Sequence, residues 1–297
     1  MGTTHRDFEL PKGLRPTFDT AAGKWLATPA EARSATPPML SASVLLVRDG
    51  EAGVEVFMQH RVASMAFAPS MWVYPGGGVD PGDDAVPPPG AEDVLGIEER
   101  QAGQVLSAAV REVFEECGVL FAGTGPGAVL HDAGDQRWSA YRAALLDRSI
   151  SSTQMLGCEG LVPRYDLLTP VARWVTPECE PRRYDTFFFA ATVPSGQVAD
   201  AHTTEARAGA WVEAGAALRQ HWRGSGTLMP PTLVLAEQIA RCPTVADYLA
   251  IERSMAKVMP EPVLIRDDDG ERIVMRAPID EDGRAVGPAP TGRQGTD

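Results

Sequence analysis

The sequence lacks the long apolar runs that a membrane protein needs. No stretch approaches the roughly 20 consecutive apolar residues of a transmembrane helix. Residues 1–16, MGTTHRDFELPKGLRP, contain no apolar segment of signal-peptide length. We therefore expect no membrane partner and a cytoplasmic location.

Cysteine is also scarce, with four in 297 residues, and no two of them form a CxxC pair. This spacing argues against the common zinc-binding motifs. A cytoplasmic protein is expected to keep such thiols reduced.

Positive charge is in deficit as well. The chain has 27 Lys and Arg against 40 Asp and Glu, a formal net charge of −13. No global basic field would attract a nucleic-acid backbone, so we expect no nucleic-acid partner. A small phosphate-bearing substrate remains compatible with this charge, because a bound divalent metal reverses the charge locally. The 44% hydrophobic fraction is that of an ordinary globular protein.

Composition divides the chain into three parts. Residues 1–40 are rich in Pro, Thr and Ala and are interpreted as an N-terminal arm with one short helix near 19–33. Residues 277–297 are Gly, Pro and charge, which predicts a disordered tail. The intervening residues 41–276 are predicted to form a single domain, with a helical insertion at about 122–168.

Within this domain, strands and helices follow from hydrophobic patterning between turn residues. The predicted strands are 41–48, 54–61, 71–75, 119–121, 170–176, 184–193 and 209–214. The predicted helices are about 94–117, 230–242 and 244–258, and a hairpin is predicted at 262–278. Gly118 follows the first of these helices and is a plausible C-terminal cap.

The segment REVFEECGV (111–119) carries the main chemical pattern. Glu112, Glu115 and Glu116 are spaced i, i+3 and i+4, which places three carboxylates on one helix face. Like charges at this spacing destabilise an isolated helix, whereas Mg²⁺ would turn their repulsion into ligation. The alternative interpretation is a solvated acidic face, which the helix taken alone would favour.

A glycine-rich loop upstream makes the pattern more specific. Together the two segments resemble the Nudix hydrolase motif, G-x5-E-x7-R-E-U-x-E-E-x-G-U, in which U is apolar. The second half matches at Arg111, Glu112, Val113, Glu115, Glu116, Gly118 and Val119. The first half matches at Gly77, with Asp83 where the family prefers Glu.

The motif is interrupted. Residues 84–110 separate Asp83 from Arg111, which is 27 residues where the family has seven. Loop-closure penalties grow slowly with length, so such an insertion is tolerable. An interrupted motif, together with MAFAPSMWVYPGGGVD (65–80) and ARWVTPECEPRRYDTFFFAA (172–191), resembles the branch that contains the mammalian peroxisomal coenzyme A diphosphatase.

The resemblance implies an α/β fold, the Nudix α/β/α sandwich with a mixed β-sheet. It also implies Mg²⁺ or Mn²⁺ bound by Glu112, Glu115 and Glu116, with the carbonyl of Gly76 as a further ligand. Arg111 matches the arginine that orients a glutamate. The general base is either Glu115 or Glu205, and the latter could equally be a solvated loop residue.

Three arginines are predicted to contact substrate phosphates, because a guanidinium matches phosphate oxygens bidentately. They are Arg61, Arg182 and Arg183. For each one taken singly, a surface position or an ion pair is the favoured interpretation.

The implied function is hydrolysis of a nucleoside diphosphate linked to another group, with coenzyme A or an acyl-CoA favoured and ADP-sugars or NADH as alternatives. A non-catalytic Nudix ligand sensor is a second class of function, and it is disfavoured because all three glutamates of the motif are present. Sanitation of damaged nucleoside triphosphates is ranked lower, because those enzymes have an uninterrupted motif. The resemblance also raises a homodimer as an expectation.

Overall fold

The computed structural model describes residues 4–11, 13–61, 71–200, 206–268 and 270–286, and the side chains of residues 61, 206 and 207 also lie outside this description. The strands are β1 (Arg6–Phe8), β2 (Met39–Gly50), β3 (Gly53–Arg61), β4 (Trp72–Val73), β5 (Gly76–Gly78), β6 (Ala122–Gly123), β7 (Val162–Pro163), β8 (Thr169–Val175), β9 (Tyr184–Thr192), β10 (Ala206–Glu213), β11 (Lys257–Val258), β12 (Glu261–Asp267) and β13 (Gly270–Ala277). The helices are α1 (Arg15–Ala27), α2 (Ala91–Leu95), α3 (Glu99–Cys117), α4 (Gln136–Leu146), α5 (Ser152–Cys158), α6 (Ala214–Trp222), α7 (Pro230–Ala240) and α8 (Val245–Leu249).

The central sheet is mixed. Its strand order is β10-β3-β2-β9-β8-β11, with β4 paired to β3 and β5 paired to β2. Strand β2 runs parallel to β9 and β11 runs parallel to β8, while the other neighbours are antiparallel. The predicted fold class, a mixed sheet between helices, is confirmed.

Helices cover both faces of this sheet, as the side-chain alternation of a strand requires. In β2, Val44 and Leu46 pack into the core that contains α3. Their neighbours Leu45 and Val47 point the other way, into the core that contains α7. The central strands are therefore apolar on both faces, which is the pattern of a sheet covered on both sides.

Helix α3 lies between the sheet and residues 84–98, which belong to the interruption of the motif. Its C-terminal cap is Gly118, which has φ +67°, and the Gly118 N–H donates to the Phe114 carbonyl at 2.9 Å. A Cβ added at Gly103 would lie 2.2 Å from the carbonyl oxygen of Ala85. The inserted segment therefore packs directly on the helix backbone at a position where only glycine fits.

The N-terminal segment is more integrated than the predicted arm. Strand β1 pairs with β13 in a second sheet of order β1-β13-β12. Phe8 and Phe18 are buried in the same core as α7. At the other end, Ile279 is fully buried and bridges Ala285, and residues 287–297 of the predicted tail lie outside the described residues.

The segment 122–168 has the predicted helical character. Helix α4 occupies the predicted helical stretch, and the shorter α5 is capped by Ser151, whose hydroxyl accepts from the Gln154 N–H. No helix in the described parts of the chain is long and apolar enough to span a lipid bilayer.

Three local predictions are wrong, and α6 was not predicted. Gly76–Gly78, predicted to lie in a glycine-rich loop, pairs with β2 as strand β5. Residues 119–121 are fully buried but form no strand, because the Gln197 side chain bonds both the N–H and the carbonyl of Leu120 in place of a neighbouring strand. The helix predicted at 244–258 ends at Leu249, and Lys257–Val258 instead pairs with β8.

The packing of the N-terminal segment can be tested with Phe18→Ala. Phe18 is 3% exposed, so removing its ring leaves a cavity and should lower the free energy of unfolding by about 3 kcal/mol. Urea denaturation measures this loss. The control is Lys24→Ala on the exposed side of the same helix, with an expected change within about 0.5 kcal/mol. Equal stability of the two variants would mean that the segment is a loose arm after all.

Candidate active site

The acidic face of α3 is buried rather than solvated. The side chains of Glu112 and Glu115 are 12% and 11% exposed. Glu116 is buried too, at 7%. Because carboxylates are seldom buried without partners, the interpretation of this face as a solvated helix surface is wrong.

Arg111 is the cation at the centre of this face. Its Nη1 donates to Glu112 Oε1 at 2.9 Å and to Glu115 Oε2 at 3.2 Å. Its Nε and Nη2 donate to the Asp83 carboxylate at 2.9–3.2 Å, and Nη2 also reaches the Gly78 carbonyl at 2.8 Å. One guanidinium thus joins the glycine loop to two glutamates on the helix.

Asp83 reaches the helix although it is one methylene shorter than the glutamate of the motif. It is fully buried, and its Oδ2 also accepts from the Asp80 N–H at 2.8 Å. The Asp83 carboxylate therefore makes a hydrogen bond within its own loop and also forms an ion pair with Arg111. The 20 surplus residues of the interrupted motif leave this contact in place.

Two glycines allow the loop to approach the glutamates. The Gly76 N–H donates to Glu116 Oε2 at 2.9 Å, and Gly76 has φ +154°, with the Ala42 carbonyl oxygen 2.3 Å from where a Cβ would stand. A Cβ on Gly77 would lie 2.3 Å from Glu112 Oε1. The contact that the structure gives Gly76 is through its amide, so the predicted metal contact through its carbonyl remains a prediction.

Burial raises the pKa values of several of these groups. Burial raises the pKa of Glu112 to about 7, with the nearby charge of Glu115 adding to the rise and Arg111 opposing it. Burial likewise raises the pKa of Glu115, again against the pull of Arg111. Burial also raises the pKa of the Cys117 thiol well above its usual value, which argues against a thiolate nucleophile.

These residues fit a hard divalent cation by donor chemistry. The donors are all carboxylate oxygens, which Mg²⁺ and Mn²⁺ prefer. Two of the three glutamates are buried beside a like charge and have raised pKa values, so added positive charge would stabilise their ionised forms. Among the described residues no three acidic, His or Cys side chains converge on one point, and Arg111 occupies the space between Glu112 and Glu115.

The predicted phosphate-binding arginines fare differently. The prediction that Arg183 contacts substrate phosphates needs correction. Arg183 is 5% exposed, and its guanidinium donates to the carbonyls of Thr176 and Thr36 at 3.0 and 2.7 Å. It therefore fastens the N-terminal segment to the loop between β8 and β9 and is not free to bind substrate. Arg182 is exposed and lies 5.8 Å from the Tyr184 ring centre.

The other two predicted residues are only partly described or not described. Arg61 ends β3, but its side chain lies outside the described residues. Glu205 also lies outside the described residues. Both remain predictions.

Two side-chain contacts with the C-terminal end of α3 were not predicted from the sequence. The Gln59 amide donates to the Glu116 carbonyl at 3.3 Å, and Arg142 donates to the Glu115 carbonyl at 2.7 Å. Arg142 also pairs with Asp200 at 2.8 Å. Because Gln59 and Arg142 contact backbone atoms of α3, no residue pattern in the helix sequence reveals them.

Comparison with solved structures identifies the fold of the chain. The solved structure of a Nudix hydrolase from Alicyclobacillus acidocaldarius superposes with a TM-score of 0.62 at 23% identity, covering 73% of this chain and 98% of that one. The chain therefore has the Nudix hydrolase fold. No family model matches the sequence.

A curated relative points in the same direction. The Caenorhabditis elegans protein "Putative nudix hydrolase 7" is 27% identical over 213 residues, which cover 70% of this chain and 63% of the relative's length. The structure of an Ap4A hydrolase from the same organism is more distant, with a TM-score of 0.32, 14% identity and coverage of 61% and 84%. Its likeness is too low to inform the function.

The buried pair of Asp83 and Arg111 can be tested with Asp83→Asn. This change leaves a buried guanidinium without its main counter-charge, and we expect a loss of about 3 kcal/mol or more in the free energy of unfolding. Urea denaturation measures it, with the exposed neighbour Asp84→Asn as the control. If both variants were as stable as the wild type, the pair would not hold the loop to the helix.

Proposed function

We propose that the protein hydrolyses a diphosphate bond in a nucleoside diphosphate linked to a second group, using Mg²⁺ or Mn²⁺ held by Glu112, Glu115 and Glu116. The observation that carries this proposal is the buried acidic face of α3, joined to a glycine loop through Arg111 in a Nudix fold. Asp83, Glu112 and Glu115 place three carboxylates around the single positive charge of Arg111, and this excess of buried negative charge is costly unless a further cation joins it.

The chain's own residues divide the work. Arg111 holds Glu112 and Glu115 in place, as partners behind a ligand commonly do. The Gly76 amide orients Glu116. When bound, the divalent ion would lower the pKa of an attacking water and neutralise charge on phosphate oxygens. Glu115 or Glu205 would serve as the general base for this water.

The resemblance supports the substrate class, and the position of the helical insertion supports a role for it in substrate selection. Residues between α4 and α5 pack on the glycine loop: Arg148 Nη2 lies 3.3 Å from Asp80 Oδ1, and a Cβ on Gly82 would lie 2.9 Å from the Ser151 Cβ. This packing supports a wall beside the site that selects the group attached to the nucleotide. We favour coenzyme A or an acyl-CoA, with phosphate contacts from Arg61 and Arg182, in a cytoplasmic homodimer.

The proposal is tested with purified protein, Mg²⁺ or Mn²⁺, and a panel of coenzyme A, acyl-CoA, NADH, ADP-ribose, ADP-glucose and oxidised dGTP, with products identified by mass spectrometry. We expect release of 3′,5′-ADP and a phosphopantetheine from coenzyme A. Glu115→Gln and Glu116→Gln should each lower kcat by roughly 100-fold or more, since they remove a ligand from the reacting centre. Glu99→Gln, exposed at the start of the same helix, is the matched control and should retain full activity.

The outcomes separate the alternatives. Cleavage of another panel member would keep the chemistry and discard coenzyme A as the substrate. Tight binding of a panel member without turnover would favour the ligand sensor. Activity that survives in both glutamine variants would refute the assignment of the acidic face.

A further inference from the structure

The C-terminal end of α3 is held by a residue from the helical insertion. The helix ends at Cys117, so the Glu115 carbonyl has no amide one turn ahead within the helix. Arg142 of α4 fills this place, with its Nε donating to the Glu115 carbonyl at 2.7 Å. Its side chain is only 12% exposed, so this contact is shielded from solvent. A cation here also complements the negative end of the helix dipole.

Asp200 completes the arrangement from a third segment. Arg142 Nη1 donates to both Asp200 carboxylate oxygens, at 2.8 and 3.0 Å. The Asp200 N–H in turn donates to the Cys117 carbonyl at 3.0 Å. Two carbonyls of the last helical turn are therefore capped by two residues that also bond each other.

Gly118 makes this close approach possible. A Cβ at residue 118 would lie 3.2 Å from Arg142 Nη1 and 3.3 Å from Asp200 Oδ2. Gly118 also has the left-handed φ of +67° that ends the helix. The same glycine therefore ends α3 and leaves room for the pair that holds its last turn.

We propose that Arg142 and Asp200 are positioning residues for the acidic face of α3: they fix the backbone of its last turn, and through it the direction of Glu115 and Glu116. For its catalytic consequence this inference rests on the proposed function. Neither residue is expected to touch substrate. Displacements of about 1 Å in such a site can cost 100-fold in rate, and residues that support metal ligands commonly contribute 10–100-fold to metal affinity or activity.

A neighbouring arginine on α4 provides a matched control. Arg137 Nη1 pairs with Glu159 Oε2 at 2.8 Å, and its side chain is 55% exposed. Its side chain forms ion pairs with Glu159 and Asp135, both within the insertion, and among the described residues it forms no ion pair or hydrogen bond with α3. Loss of Arg137 therefore reports what the loss of an arginine on α4 does without touching the catalytic helix.

The test compares Arg142→Ala, Arg142→Lys, Asp200→Asn, the Arg142→Ala/Asp200→Asn double variant and Arg137→Ala. Mn²⁺ affinity is measured by the EPR signal of free Mn²⁺, kcat and KM by steady-state kinetics, and folding by thermal unfolding. We expect Arg142→Ala to weaken Mn²⁺ binding and lower kcat by roughly 10–100-fold, with KM within about threefold. Arg142→Lys should restore part of the loss, because a lysine keeps the charge but cannot make both contacts.

Coupling within the pair gives a second prediction of the same proposal. If Arg142 and Asp200 act as one unit, the double variant should be no worse than Arg142→Ala alone. Hydrogen exchange gives a readout that needs no turnover. Amides of residues 116–119 should exchange faster in Arg142→Ala than in the wild type, while Arg137→Ala should leave them unchanged.

The results distinguish this inference from the proposed function. If the wild type hydrolyses a diphosphate and Arg142→Ala matches Arg137→Ala in Mn²⁺ affinity, kcat and exchange at 116–119, the positioning role is refuted and the function stands. Lower thermal stability of Arg142→Ala with unchanged Mn²⁺ affinity and kcat would reduce the pair to a structural contact and also refute it. If the wild type is inert but Arg142→Ala loses Mn²⁺ affinity or protection at 116–119, the function fails and the positioning of the last turn stands.

Discussion

The architecture of the site depends on one buried guanidinium. Arg111 uses Nε and Nη2 for Asp83 and Gly78 and only Nη1 for Glu112 and Glu115. The contacts of Arg111 with the glycine loop therefore do not depend on whether Glu112 and Glu115 are protonated or ionised. Because removing one partner of a buried charge pair costs several kcal/mol, this anchor constrains every neighbouring group, including the loop glycines that must pass close to the carboxylates.

This anchor also explains how the motif tolerates its interruption. The residues between Asp83 and Arg111 comprise a segment without regular structure, helix α2 and the first turns of α3. Gly103 of α3 packs against Ala85 of that segment. The entropic cost of a longer loop rises only logarithmically with its length. The ends that matter, Asp83 and Arg111, still meet, and the shorter aspartate contacts the guanidinium with its carboxylate fully buried.

The sequence predicted six strands of the central sheet, β2, β3, β4, β8, β9 and β10, together with the capped end of α3 and the hairpin of β12 and β13, because these depend on local periodicity and on turn residues. It failed where a distant partner replaced a local preference. The backbone of Leu120 is hydrogen-bonded by the Gln197 side chain and not by a neighbouring strand. The segment after α8 has a helical sequence pattern, but Lys257–Val258 pairs with β8. In the site, the helical spacing revealed the three glutamates, but neither the structural use of Arg183 nor the backbone contacts of Arg142 leave a pattern in the sequence.

Helix α3 is thus held at two levels by segments distant from it in sequence. Arg111 fixes the middle of its acidic face to the glycine loop, and Arg142 with Asp200 fixes its last turn. Glu115 belongs to both levels, since its carboxylate contacts Arg111 and its carbonyl contacts Arg142. The insertion that supplies Arg142 also packs on the glycine loop near Gly82. Under the proposed function, a change in the helical insertion that alters substrate choice is therefore expected to move the helix that carries the carboxylates as well, which would link substrate selectivity to the geometry of the site.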